Sequence, residues 1–166
     1  MKGAYAILVL VVLQRIGELW YASKNTRALK ARRAIEYGRG HYPFIVLLHA
    51  SWLMAVAIGI RDDPAVRALP LVLFVLLQAV RIWVVATLGP YWTTRVITIP
   101  DAPLVHRGPY RFVRHPNYLL VIGEIALLPL AFGQVSNALI FSVLNGAAVA
   151  WRIHIEDAAL GTRRGV

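Results

Sequence analysis

The 166-residue sequence contains no cysteine, which excludes disulfide bonds, thiolate metal sites and a cysteine nucleophile. Charged residues are also scarce, at 16% of the chain, whereas about 25% is typical of soluble domains. Acidic residues are the scarcest of them, because 8 Asp and Glu stand against 18 Lys and Arg. A soluble domain of this length could not cover its surface with so few polar groups.

Apolar residues take up the difference: 58% of the chain is hydrophobic and the mean hydropathy is +0.60. The net charge of +10 would ordinarily suggest a nucleic-acid partner. Here, however, the basic residues lie between long apolar runs instead of forming a solvated face. The composition therefore predicts an integral membrane protein with basic loops and no nucleic-acid partner.

Five apolar runs approach the roughly 20 residues that a helix needs to cross about 30 Å of hydrocarbon. They cover residues 3–22, 42–60, 69–88, 116–133 and 136–155. The last two are separated only by Gly-Gln-Val and predict a tight hairpin, while Pro129 makes the short fourth run a candidate re-entrant or tilted segment. The uninterrupted apolar part of the first run, residues 3–13, leads into Gln14 and Arg15 instead of a small-residue cleavage site, so we do not expect a cleaved signal. The predicted fold is an all-α bundle of about five transmembrane helices, with residues 1–166 as a single domain.

The basic residues predict an orientation for this bundle. With five spans, thirteen cations fall on one side: Lys24, Arg27, Lys30, Arg32, Arg33, Arg39, Arg95, Arg107, Arg111, Arg114, Arg152, Arg163 and Arg164. The opposite side receives Lys2, Arg61 and Arg67, diluted by Asp62 and Asp63. The positive-inside rule then places the N-terminus outside and the C-terminus in the cytoplasm.

Several ionisable or amide side chains lie inside the predicted spans. Arg15 and Glu18 are three residues apart on one helix, Gln78 and Arg81 repeat that spacing, and Glu124 lies two turns into the fourth span. These groups either reach the interface and stabilise the bundle, or line a polar cavity that opens to the cytoplasm and receives a charged ligand.

The connection over residues 89–118 is dense in Pro, aromatic and basic residues, and its length favours a functional role. Pro116 suits the first position of the fourth helix, and Arg114 and His115 flank that helix start, where an anion would bind. One interpretation is a pocket for a carboxylate or phosphate ligand, with aromatic walls from Tyr91, Trp92, Tyr110 and Tyr118. The alternative is an interfacial loop that binds lipid headgroups.

The segment HRGPYRFVRHPNYL, followed by an apolar hairpin and RIHIEDAAL, resembles the core of the isoprenylcysteine carboxyl methyltransferase family. The resemblance covers about residues 69–160. The earlier segments QRIGELWYASKNTRAL and EYGRGHY are similar to small bacterial members, some associated with type III polyketide synthases and methylation of alkylpyrones or alkylresorcinols. This resemblance implies a bacterial plasma-membrane enzyme that binds S-adenosylmethionine from the cytoplasm, with a cofactor-binding core at about residues 89–160.

The resemblance also implies roles for individual residues. Cofactor-binding roles fall on His106, Gly108, Tyr110, Arg114, His115, Pro116, Tyr118, Glu156 and Asp157, with catalytic roles for Arg152 and Glu156. In this assignment a carboxylate meets the cofactor's ammonium, and Arg152 reaches the anionic group of the substrate. Because Arg152 and Glu156 are four residues apart, an ordinary helix salt bridge is the alternative.

The sequence departs from the family pattern at three points. Asp157 stands where a second Glu is usual, and Leu120 occupies a position that is Gly in many members. The chain stops six residues after Leu160, so the aromatic tail of the eukaryotic enzymes is absent. The last departure leaves open how the cofactor is covered and whether a prenylcysteine is the substrate.

Methyl transfer mainly requires alignment and exclusion of water. A carboxylate acceptor needs no base, whereas a phenol or enol would benefit from one of the candidates His106, His115, His154 or Glu156. No metal is expected, because the histidines are scattered along the chain, and His49 on the second span is interpreted as a helix-to-helix hydrogen bonder.

The acceptor is expected to be lipophilic, either a prenylcysteine-like carboxylate or a long-chain polyketide hydroxyl. A phospholipid methyltransferase, a reductase and a non-catalytic protein that binds anionic lipid or a partner are the other hypotheses. The oligomeric state is not predicted.

Overall fold

A computed structural model describes residues 2–60, 66–100, 102 and 104–161, and within these ranges the fold is a bundle of five α-helices. The helices are α1 (Lys2–Ala31), α2 (Tyr42–Gly59), α3 (Ala68–Leu88), α4 (Pro116–Ala131) and α5 (Val135–Leu160). Arg61, Asp62, Asp63, Arg163 and Arg164, which entered the charge prediction, lie outside the described residues. The prediction of an all-α membrane bundle is confirmed.

Four of the helices, α1, α2, α3 and α5, are long and apolar enough to cross a membrane. Their outer surfaces carry large apolar side chains that water would not tolerate in such numbers; Ile58, Leu69 and Val143, for example, are each more than 70% exposed. These side chains face outward because the surrounding solvent is lipid. The chain is therefore an integral membrane protein.

The short helix α4 buries one face in the bundle, whereas Leu119 and Ile122 on its other face are exposed. Its 16 residues rise about 24 Å, less than the hydrocarbon thickness of a bilayer, and Pro129 falls in its last turn. It packs against α3 and α5, with Gly123 leaving room for the side chain of Leu77 on α3. Gly133, at φ +75°, then allows the predicted tight turn into α5.

Two helices are longer than their apolar runs. Helix α1 continues nine residues beyond Ala22 to Ala31, and α5 continues five residues beyond Ile155 to Leu160. Residues 23–31, which we expected in a connecting segment, are therefore helical. Hydropathy marks where a helix leaves the membrane, whereas Ala, Leu, Lys and Arg continue a helix equally well in water.

One end of the bundle contains one end of each of the five helices, together with the segments that carry most of the basic residues. We call it the basic end. Here α1, α3 and α5 finish and α2 and α4 begin. Asn25 of α1 donates hydrogen bonds to the carbonyls of Gly89 and Trp92, and Tyr42 lies 3.2 Å from Thr94. The segment after α3 is thereby fastened to α1 and α2.

A two-stranded antiparallel sheet, which the sequence did not predict, covers the basic end. Strand β1 (Ile35–Tyr37) pairs with β2 (Val96–Thr98). The Glu36 carboxylate accepts a hydrogen bond from Arg95 at 2.5 Å and lies 2.6 Å from Lys30. Although burial raises the pKa of Glu36, the hydrogen bonds from Lys30 and Arg95 outweigh it and lower the pKa below its usual value.

The ionisable side chains inside the spans form one network. Arg81 binds Glu124 with two of its nitrogens and also lies 3.2 Å from Glu18. Arg15 reaches both carboxylates, at 2.8 Å from Glu18 and 2.9 Å from Glu124, and Gln78 donates to Glu124 at 2.8 Å. Arg81 and Glu124 are almost fully buried, so they do not extend to the interface. The network joins α1, α3 and α4.

Candidate functional site

A cavity of about 430 Å³ opens at the basic end, and we call it the basic-end cavity. Its walls come from the segment between α3 and α4, from β2 and from the ends of α4 and α5. They include the predicted residues His106, Tyr110, Arg114, His115, Tyr118, Arg152 and Glu156. The predicted aromatic residues Tyr91 and Trp92 also line it. The volume falls within the range of small-molecule sites.

A second cavity of about 300 Å³ lies deeper, between the helices, and we call it the inter-helix cavity. Its lining is mainly apolar and includes Ile16 and Leu19 of α1 and Val46 of α2, which are also exposed on the outer surface of the bundle. An apolar chain could therefore pass from lipid into the cavity between α1 and α2. This arrangement suits a ligand that already partitions into the bilayer.

The two cavities share part of their walls. The residues that line both are Trp92, Thr93, Asn117, Tyr118 and Arg152. Glu156 lines only the basic-end cavity, whereas Arg152, one helical turn earlier, lines both. A ligand in the basic-end cavity and a ligand in the inter-helix cavity would thus meet at this shared wall. The Glu156 carboxylate lies on the basic-end side of the wall, and the Arg152 guanidinium lies at the junction.

The hydroxyl of Tyr118 links the two charged residues at this junction. It accepts a hydrogen bond from Nε of Arg152 at 2.9 Å and donates one to the Glu156 carboxylate. The Arg152 guanidinium also lies 5.6 Å from the centre of the Tyr118 ring. Arg152 and Glu156 are therefore bridged through Tyr118, and both are directed at the cavity wall rather than at lipid.

His115 completes the constellation from the turn before α4. Its Nδ1 lies 3.5 Å from the Glu156 carboxylate and its Nε2 lies 3.3 Å from Asp157. Its ring stacks on Tyr118 with centroids 5.2 Å apart. His115 therefore lies between the two carboxylates of α5 and the aromatic ring of α4.

Two predicted residues act through the backbone and are not among the lining residues. Pro116 is buried at the first turn of α4, as predicted. Gly108 has φ +58°, and a Cβ there would lie 2.5 Å from Oγ1 of Thr87. Its lack of a side chain lets the turn with Tyr110 approach α3. Burial, together with the nearby Glu156 carboxylate, raises the pKa of Tyr110, so its phenol stays protonated.

The structure places three further candidate residues as follows. His49 donates from Nδ1 to the carbonyl of Ile45 on its own helix, so it is not the helix-to-helix hydrogen bonder that we expected. It instead lines the inter-helix cavity. The candidate base His154 is exposed and lines neither cavity. Asp157 contacts His115 but is also absent from both linings.

Sequence reasoning missed two polar residues that the structure places at these cavities. Asn117 lies between Pro116 and Tyr118 and lines both cavities, and Asn145 lines the inter-helix cavity from the middle of α5. Within the described part of the chain, Oδ1 of Asn117, Nε1 of Trp92 and both side-chain polar atoms of Asn145 are buried without a hydrogen-bond partner. Asn145 is alone in an apolar run, which gives no local pattern from which its burial could be predicted, and Asn117 lies between motif residues without a role of its own.

Comparison with known proteins gives a consistent result for the part of the chain that contains the shared wall of the two cavities. The profile of the isoprenylcysteine carboxyl methyltransferase family matches residues 69–162. The uncharacterized protein YpbQ of Bacillus subtilis is 34% identical over 160 residues, which cover 94% of this chain and 95% of YpbQ. An uncharacterized protein of Haemophilus influenzae is 24% identical over 151 residues, or 88% of each chain. No solved structure gives a significant match.

The matched range begins at α3 and extends to the end of α5, so it contains the shared wall, the Tyr118 bridge and the turn of His115. The profile and the geometry therefore single out the same region. The chain belongs to the isoprenylcysteine carboxyl methyltransferase family, a family of membrane methyltransferases.

Proposed function

We propose that this protein transfers a methyl group from S-adenosylmethionine to an oxygen atom of a lipophilic acceptor, within the membrane of a bacterium. The observation that carries the proposal is the pair of adjoining cavities. One is lined by charged and aromatic groups at the basic end, the other is mainly apolar and borders lipid, and Tyr118, Asn117 and Arg152 belong to both.

The charged and aromatic lining of the basic-end cavity suits S-adenosylmethionine, which carries a carboxylate, an ammonium group, a sulfonium and an adenine base. Glu156 supplies negative charge for an ammonium or sulfonium, while Arg114 and His115 supply donors for a carboxylate. Among the residues that the structure describes, the buried Nε1 of Trp92 and Oδ1 of Asn117 have no hydrogen-bond partner, so they offer a donor and an acceptor to a bound molecule. S-adenosylmethionine, when bound, supplies a methyl carbon that its sulfonium has already activated.

The residues at the shared wall have separate roles in positioning the acceptor and the donor. Arg152 lines both cavities, so it can hold an anionic oxygen of the acceptor at the junction. Glu156 lies on the cofactor side and is hydrogen-bonded to Tyr118 in the shared wall, so the two side chains orient the donor and keep it aligned with that oxygen. A carboxylate acceptor requires no proton transfer, whereas a hydroxyl acceptor would pass its proton to the linked Glu156 and His115 pair.

We place the basic end in the cytoplasm. The described cations in the segments at this end are Lys24, Arg27, Lys30, Arg32, Arg33, Arg39, Arg95, Arg107, Arg111, Arg114 and Arg152. Arg67 is at the opposite end. The positive-inside rule then gives an N-terminus outside the plasma membrane and an opening of the basic-end cavity toward cytoplasmic cofactor. The two relatives are bacterial proteins, which supports a bacterial plasma membrane.

Within this function, a long-chain polyketide hydroxyl and a prenylcysteine-like carboxylate are the two acceptor classes that we propose to compare. Purified protein in lipid nanodiscs should bind radiolabelled S-adenosylmethionine and transfer the label to one of them. His115→Ala should weaken binding about ten-fold or more, because it removes the imidazole that is proposed to donate to the carboxylate of the cofactor. His154→Ala is the matched control and should leave binding unchanged, since this histidine is exposed and lines neither cavity. Folded protein that binds no S-adenosylmethionine would disprove the proposal.

A further inference from the structure

The inter-helix cavity contains a polar layer that a hydrocarbon chain would not use. Arg15, Glu18, Arg81 and Glu124 line it, as do His49 and Asn145. At about 1.5 Å per residue, Asn145 lies about 10 Å above Arg152 along α5, and His49 lies about as far from Tyr42 at the start of α2. These groups therefore lie at a similar depth, well inside the bundle.

The charged members of this layer already satisfy one another. Both arginines and both glutamates share hydrogen bonds in the network described above, and their charges sum to zero. His49 donates its Nδ1 proton to the carbonyl of Ile45, which leaves Nε2 as an acceptor in the neutral ring. The network gives the layer its polarity but does not need a ligand.

Asn145 differs from these residues. It is 1% exposed, and neither its Oδ1 nor its Nδ2 has a hydrogen-bond partner within the described part of the chain. Burying an unpaired amide is unfavourable, and more so where the surroundings are hydrocarbon. Asn137, two turns earlier on α5, shows the ordinary arrangement, because it donates to the carbonyl of Ala55 and to Gln134. Asn145 has unused hydrogen-bonding capacity at the wall of a cavity.

We propose that Asn145 binds a hydroxyl or carbonyl group on the part of the acceptor that enters the inter-helix cavity, about two helical turns from the oxygen that is methylated. The acceptor is then not a plain hydrocarbon chain beyond its head, and Asn145 determines specificity without touching the reacting atoms. This inference rests on the proposed function for the identity of the ligand as acceptor.

The test uses an eighteen-carbon saturated fatty acid and a series of analogues that carry one hydroxyl at successive mid-chain positions. Their carboxylate provides an anionic head for Arg152, and their affinity for the full-length protein in detergent is measured by displacement of a fluorescent fatty acid. We expect one hydroxyl position to bind about ten-fold more tightly than the plain chain. Asn145→Leu, of similar volume, should bind both equally, and so should Asn145→Ala.

Unliganded stability separates a ligand-binding asparagine from a structural one. Because Asn145→Leu removes an unpaired amide, it should melt at the same temperature as the wild type or higher, whereas Asn137→Leu should melt lower. Three results would overturn the proposal: no hydroxyl preference in the wild type, a preference that survives in Asn145→Leu and Asn145→Ala, or loss of stability or folding in both Asn145 variants.

Binding of S-adenosylmethionine, measured on the same preparations, tells the two proposals apart. Wild-type protein that prefers a hydroxylated chain but binds no S-adenosylmethionine would disprove the proposed function and leave Asn145 as a ligand-binding residue. Protein that binds S-adenosylmethionine and shows no hydroxyl preference would disprove the role of Asn145 alone.

Discussion

The buried pair of Arg81 and Glu124 offers the sharpest test of the fold. The Glu124 carboxylate accepts hydrogen bonds from two nitrogens of Arg81, from Arg15 at 2.9 Å and from Gln78 at 2.8 Å. Together with Glu18, it balances two guanidinium groups. Glu124→Gln keeps the shape of the side chain but leaves the cluster with a net charge of +1 inside the membrane.

The expected loss is large because one buried guanidinium loses its counter-charge. Removing one partner of a buried ion pair costs about 3–5 kcal/mol, whereas replacing both by apolar residues of similar size is often neutral or stabilising. Glu124→Gln should therefore lower the free energy of unfolding by about 3–5 kcal/mol. The double variant Arg81→Met, Glu124→Met should recover most of this loss, since Arg15 and Glu18 still pair with each other at 2.8 Å.

Reversible unfolding in mixed detergent micelles measures these free energies. Leu139→Ala is a suitable control because this side chain is 65% exposed on the outer face of α5, so its effect should stay within about 0.5 kcal/mol. The reasoning fails if Glu124→Gln unfolds within about 0.5 kcal/mol of the wild type. It also fails if the double variant is no more stable than Glu124→Gln.

Two further changes test the segments that build the basic-end cavity. Gly108→Ala should destabilise the protein by about 1–2 kcal/mol or more, because φ is +58° and the added Cβ meets Thr87, whereas helical Gly146→Ala should be neutral or stabilising; equal effects in unfolding assays would contradict this. The lowered pKa of Glu36 predicts a contribution to stability that is present above its usual value of 4.5 and lost as the pH falls through its folded-state pKa. Melting temperatures of wild-type protein and Glu36→Gln should therefore differ near pH 6 and converge in acid, and a constant difference would refute it.

The sequence predicted the helices well because membrane spanning imposes a simple rule. A run of about 20 apolar residues is long enough to cross the bilayer, so hydropathy alone located α2 and α3 to within one residue at each end. The ends of α1 at Ala31 and α5 at Leu160 were not predicted, because both helices continue into water, where the signal of apolar length is lost.

Contacts between distant segments could be predicted only in part. The spacing of Arg15 and Glu18 indicated their pairing within one helix. Nothing local indicated that Glu124, which is 109 residues from Arg15 and 43 from Arg81, would bind both arginines. Strands β1 and β2 have three residues each and pair across about sixty residues, so no turn sequence marks them. These features depend on tertiary packing, which periodicity does not record.

The residues that line the cavities were likewise predicted only in part. The resemblance to the family placed Tyr118, His115 and Glu156 in one site, and the structure brings them together at the basic end. Asn117 lies inside the quoted motif but received no role from the resemblance, and Asn145 is a single polar residue in an apolar run with no motif around it. Only their buried, unpaired polar atoms distinguish them.

The short helix α4 lies at the junction of the two cavities that the proposed cofactor and acceptor would occupy. Because α4 packs against α3 and α5 and its Glu124 is held by the charged network, its first turn holds Tyr118 and Asn117 on a rigid element between the cavities. The inter-helix cavity instead borders the lipid-exposed helices α1 and α2, where Ile16 and Val46 face outward. An acceptor that entered between α1 and α2 would then meet Tyr118 and Asn117 on α4 and Arg152 on α5, so under the proposed function we expect entry to separate only α1 from α2.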